Sequence, residues 1–103
     1  MRVILAIGMS ALLATPAMAD TVKIVQQGRS FQPNEVTIKA GDTLEFDNQD
    51  EFIHQIYVDS DVVKFDSAEQ PPGEDVQVNF PTAGTFPVRC HIHPKMLLTV
   101  HVK

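Results

Sequence analysis

Residues 84–102 read GTFPVRCHIHPKMLLTVHV, two alternating runs on either side of one loop. Phe86, Val88 and Cys90 fall on one face of an extended chain, with Thr85, Arg89 and His91 on the other. Leu98, Val100 and Val102 repeat the pattern against Leu97, Thr99 and His101. A period of two marks a strand with one buried face. The stretch therefore predicts strand, tight loop, strand, with the loop running from Cys90 to Met96. Pro87 lacks a backbone donor and predicts a sheet edge or a bulge at that point.

The same period recurs upstream. Val22 and Ile24 alternate with Thr21 and Lys23, and Val36 and Ile38 with Glu35, Thr37 and Lys39. Leu44 and Phe46 alternate with Thr43, Glu45 and Asp47 after the turn signal Ala40-Gly41-Asp42. His54, Ile56 and Val58 share one parity, and Val76, Val78 and Phe80 share another before the turn Pro81-Thr82-Ala83-Gly84. This gives about seven short strands and no stretch of helical period, which predicts an all-β sandwich or barrel. Residues 60–73 read as a long irregular connection closing on Pro71-Pro72-Gly73.

The start of the chain has a different character. Arg2 precedes an apolar run from Val3 to Leu13, followed by Thr15-Pro16 and the triplet Ala17-Met18-Ala19. A charged start, a short apolar run and a small-x-small site describe a secretory signal peptide. The run is shorter than the roughly 20 residues a membrane span needs. Residues 1–19 are thus expected to be removed on export, leaving residues 20–103 as a single domain without stable membrane insertion.

So small a domain often needs a staple, and its single cysteine cannot form an internal disulfide. A lone thiol in an exported protein is reactive, paired with another molecule, or occupied by a ligand. The formal net charge of −5 argues against nucleic acid or an anionic membrane as partner and is compatible with steering towards basic proteins. A monomer is the default expectation.

Cys90-His91-Ile92-His93-Pro94-Lys95-Met96 places a thiolate, two imidazoles and a thioether within seven residues. Thiolate and thioether are soft donors that suit copper, and imidazole suits copper or zinc. Cys90, His93 and Met96 can converge from one loop stiffened by Pro94. His54, on the inward parity of Ile56 and Val58, is the expected fourth ligand. Two His and one Cys with a weak axial Met is the donor set of electron-transfer copper sites. His91 follows Cys90 on a strand and should point to the opposite face, away from the metal. His101 reads as exposed and without a role.

No glycine-rich phosphate loop and no nucleophile–base set appears, so catalysis is not expected. Three other readings stay open: a copper carrier that delivers its ion to another protein, a zinc-bound or metal-free structural domain, and an oligomeric enzyme in which His91 holds a second copper.

The residues quoted resemble the cupredoxins, the type 1 blue-copper family of the plastocyanin and amicyanin kind. Phe31-Gln32-Pro33 and the run from Val36 to Asn48 are similar to the family's first half, Asp50 to His54 to the segment bringing the first histidine ligand, and Gly84 to Met96 to the second half. The C-x2-H-x2-M spacing resembles the family's short ligand loop. The resemblance implies a Greek-key β-sandwich and one copper on His54, Cys90, His93 and Met96. It also implies electron shuttling in the periplasm with partners such as a c-type cytochrome or a larger oxidoreductase. The chain departs from the family at Gln55, often Asn, at Phe86, often Tyr, and at Leu97-Leu98, where many members carry Gly.

Overall fold

The computed structural model describes residues 18–103. Residues 1–17, most of the expected signal peptide, lie outside the described residues. Among the described residues nine strands form: β1 (Thr21–Gln26), β2 (Phe31–Gln32), β3 (Glu35–Ile38), β4 (Thr43–Asn48), β5 (Ile56–Asp59), β6 (Lys64–Asp66), β7 (Asp75–Asn79), β8 (Gly84–Cys90) and β9 (Leu97–Val102). They make two mixed sheets, ordered β2-β1-β4-β7 and β3-β9-β8-β5-β6. The architecture is an all-β sandwich, as expected.

Alternation fixes which side of each sheet faces in. Leu44, Phe46 and Asn48 of β4 are buried, as are Phe86, Val88 and Cys90 of β8 and Leu98, Val100 and Val102 of β9. Apart from the polar Asn48, these side chains join Ile24, Ile56, Val58, Val78 and Phe80 in one core between the sheets. Phe31 meets Phe46 edge to face at 5.8 Å between ring centroids, a favoured aromatic geometry.

Two strands exceed the sequence expectation. β2 is two residues long and β6 three, too short for a period to register. β6 falls inside residues 60–73, expected to be irregular, where Lys64–Asp66 pair antiparallel with Tyr57–Asp59. His54, expected to begin a strand, instead forms an isolated bridge to Gln70 just before β5. Pro87 pairs with Thr99 of β9, whereas β5 reaches only Arg89 and Cys90 of β8. Pro87 therefore stands at a local edge, where its missing N–H breaks no ladder.

Parallel pairing sets the position of the site. β1 runs parallel to β4 in register from Thr21↔Thr43 to Gln26↔Asn48, so both strands deliver the chain to the same end of the sandwich. There lie the β1–β2 turn, the segment after β4 and, beyond β8, the loop to β9. Gln27 and Ser30 exchange both backbone hydrogen bonds, at 3.1 and 3.2 Å, across the two-residue turn Gly28-Arg29. Both turn residues have positive φ, 62° and 55°, as a primed hairpin turn demands.

Candidate metal centre

The loop from Cys90 to Met96 closes with the Met96 N–H donating to the His93 carbonyl at 3.0 Å. Cys90 ends β8 on its buried parity, and Met96, buried, immediately precedes β9. His54 comes from the other direction. Its backbone exchanges hydrogen bonds with Gln70 at 2.7 and 3.1 Å, so a fully buried residue of the β6–β7 connection pins it in place.

Three donor atoms meet at one point. His54 Nδ1 lies 3.2 Å from His93 Nδ1 and 3.6 Å from Cys90 Sγ, and Cys90 Sγ lies 3.8 Å from His93 Nδ1. A point equidistant from the three lies about 2.1 Å from each, within the roughly 2.0–2.3 Å of metal–nitrogen and metal–sulfur bonds. The two ring nitrogens and the sulfur form a nearly even triangle, and an ion at its centre would take all three as ligands. His54 and Cys90 are buried and His93 is partly exposed. Met96 is buried and belongs to the same core cluster as Cys90, with its side chain withdrawn from water.

The surroundings orient the donors. The far ring nitrogen of His54, Nε2, lies 2.9 Å from Asp50 Oδ2. A carboxylate only accepts, so the histidine proton sits on Nε2 and Nδ1 presents its lone pair to the centre. Burial pushes the Asp50 carboxyl up, but the N–H groups of Arg29 and Gly28 and the His54 ring outweigh it and hold the group below its ordinary value. His93 is held below the ordinary imidazole value by burial, then by the adjoining His54 ring and the Arg29 guanidinium, against a smaller opposing pull from Asp50. A neutral His93 keeps its lone pair free for a metal.

The Gln55 N–H donates to Cys90 Sγ at 3.4 Å, and the Gln55 carbonyl accepts from His91 N–H at 2.9 Å. The departure from Asn at this position therefore leaves the two ligand-bearing segments tied through backbone groups. The Gln55 side chain donates to Asp66 Oδ1 at 2.8 Å.

His91 points away from the centre, as its parity predicts. Its ring stacks on Tyr57 with centroids 3.8 Å apart, and Nε2 lies 3.1 Å from Asp66 Oδ2. His101 differs from expectation: it is partly buried and bridges strands, with Nε2 2.6 Å from Glu35 Oε2 and Nδ1 3.4 Å from Thr85 Oγ1. Sequence reasoning missed Asp50 and Gln70. Asp50 carried one signal, its spacing four residues before His54. Gln70 carried none, since only the folded chain brings it to His54.

Two histidine nitrogens and a cysteine sulfur that converge at one end of a β-sandwich can hold a metal ion that accepts soft donors. The chain belongs to the cupredoxin family: the sequence profile of the cupredoxin-like domain matches residues 1–100. The chloroplastic plastocyanin of Oryza sativa subsp. indica is 34% identical over 99 residues, covering 85% of this chain and 64% of the relative, so the chain spans under two thirds of that protein's length. A reduced amicyanin mutant superposes with a TM-score of 0.74 at 21% identity, over 81% of this chain and 82% of amicyanin. The copper-containing nitrite reductase of Thermus scotoductus matches 96% of this chain with only 25% of its own length, at a TM-score of 0.73 and 26% identity.

Proposed function

We propose that this protein is a single-electron carrier, not an enzyme, that holds one copper ion with His54, Cys90 and His93 and, more weakly, Met96. The observation that carries the reading is the triangle of two imidazole nitrogens and one sulfur, with edges of 3.2, 3.6 and 3.8 Å. Copper bound there would alternate between Cu(I) and Cu(II), accepting and releasing one electron. The protein's own groups supply the rigidity. Asp50 fixes the ring of His54, Gln70 fixes its backbone, and the Gln55 N–H donates to the sulfur. Donors held this firmly need move little when the charge at the centre changes.

The surroundings also favour a carrier over a catalyst. His54, Cys90 and Met96 are buried, whereas catalytic metals keep an open position for substrate. His93 alone reaches the surface, beside exposed Ile92 and Phe52, and its ring edge is the route by which an electron would leave. The proposed setting is the periplasm, reached after loss of residues 1–19, where the monomeric domain of residues 20–103 exchanges electrons with a c-type cytochrome or a larger oxidoreductase.

The test is to mix the Cu(II)-loaded protein with a reduced c-type cytochrome of lower potential in a stopped-flow instrument, and separately with a metal-free copper-binding protein. One-electron oxidation of the cytochrome, one equivalent per copper, is the expected result. Loss of the copper to a metal-free acceptor with no redox exchange would instead make the protein a copper carrier.

A further inference from the structure

The chain is acidic overall, with a formal net charge of −5, yet the residues that line the cavity beside His93 are not. A cavity of about 360 Å³ opens beside the ring, lined by Arg29, Ile92, His93, Pro94 and Lys95. Its two charged residues are both cations and no carboxylate lines it. Among the described residues, neither Arg29 nor Lys95 is in a salt bridge, while Lys23 and Lys39 pair with Asp47 and Asp20.

Arg29 is placed there against its backbone preference. It occupies the second position of the β1–β2 turn at φ 55°, a conformation that suits Gly or Asn and strains a longer side chain. The guanidinium carbon lies 4.7 Å from the centroid of the Phe52 ring, within cation–π range. Phe52 in turn packs edge-on to His93 at 6.0 Å between centroids. The guanidinium is thus held beside the ring of the outermost of the candidate ligands. Strain kept at a turn that glycine would relieve points to use of the side chain.

We infer that Arg29 and Lys95, set around the apolar surface of Ile92, Phe52 and Pro94, form a docking face for a redox protein whose own electron-exit edge is ringed by carboxylates. The inference rests on the electron-carrier reading for the kind of partner and on the charge distribution for its chemistry. It reverses what the net charge alone suggests. The acidic bulk repels such a partner, so it is accepted only with the cationic end foremost. Opposite charges at the rim orient an encounter more than they tighten it.

The experiment uses one cytochrome c in two forms, its native lysine-rimmed form and the same protein with those lysines succinylated to carboxylates. Each is titrated at low salt into ¹⁵N-labelled copper-loaded protein, with both proteins reduced so that no electron passes. The succinylated form should shift the amides of Arg29, Phe52, Ile92, His93 and Lys95 and bind at least ~10-fold more tightly than the native form at that face. Arg29→Gly, which the turn accommodates, combined with Lys95→Gln should remove most of that difference. Tighter binding of the lysine-rimmed form at this face overturns the inference, as does binding of the succinylated form elsewhere or unchanged affinity in the double variant. Binding is read without electron transfer, so a protein that docks here but does not cycle its metal would sink only the carrier reading. One that cycles but docks elsewhere would sink only this surface.

Discussion

Asp50 sits four residues before His54 and receives the ring N–H of that histidine at 2.9 Å, with both side chains buried. The same carboxylate accepts the N–H groups of Gly28 and Arg29, at 3.0 and 2.8 Å. One acidic group therefore couples the first histidine of the centre to the turn that carries the docking arginine. Asp50→Asn removes a buried negative charge next to the centre while keeping an oxygen that can accept. Copper affinity should fall about 10- to 100-fold, the usual cost of losing such a support. The reduction potential should rise, because the lost charge favoured Cu(II) over Cu(I). Competition titration and voltammetry measure the two effects.

Asp47 and Asp75 face each other across β4 and β7. The Asp75 carboxyl is held above its ordinary value by its hydrogen bond with Glu45, then by burial and the charges of Asp47 and Glu45. A carboxyl raised on folding opposes folding above its folded-state value, and the penalty is relieved as the pH falls towards its unfolded value. Asp75→Asn should therefore raise the melting temperature at pH 7. The gain should shrink towards zero through the acid range, as followed by thermal melts at several pH values.

Asp42 and Asp66 have the opposite sign. Backbone N–H groups of Asp20 and Lys39 hold Asp42 below its ordinary value, and Gln55 and the Ala68 N–H do the same for Asp66. Such groups stabilise the fold above about pH 4, and that stability is lost as they are protonated at lower pH. The lowered His93 adds an earlier loss in the metal-free protein, beginning as the pH falls through the ordinary imidazole value near 6.5. Chemical denaturation of the metal-free protein should show stability declining in these two stages. Copper bound to His93 should suppress the first of them.

Leu97 and Leu98 are neighbours with opposite fates. Leu98 is 0% exposed in the core and Leu97 is 39% exposed. Leu98→Ala should cost about 2–5 kcal/mol, the range for emptying a buried leucine site. Leu97→Ala should change stability by less than about 0.5 kcal/mol, as surface substitutions do. Equal effects in urea unfolding would contradict the placement of β9.

The legible parts of the molecule were those governed by a short period. Alternation in residues 43–48, 84–90 and 97–102 reveals which side chains enter the core, and Cys90, inward by parity, leads to the donor cluster. β2 and β6 escaped because two or three residues carry no period. Their pairing is imposed by β1 and β5. Asp50 and Gln70 escaped because their roles depend on contacts to segments distant in sequence. Their polar side chains read as loop, whereas in the fold Gln70 is fully buried and bonds Phe46, Glu74 and Gln26. The cationic end was hidden in the same way, because net charge sums over faces that the fold separates.

The central claim is that His54, Cys90, His93 and Met96 hold copper, and adding Cu(II) to the metal-free protein tests it most directly. The visible spectrum should gain an intense thiolate-to-copper band, with a narrow copper hyperfine splitting in electron paramagnetic resonance, and Cys90→Ser should lose both. A pale, ordinary Cu(II) spectrum, no uptake, or an intense band surviving in Cys90→Ser would contradict it.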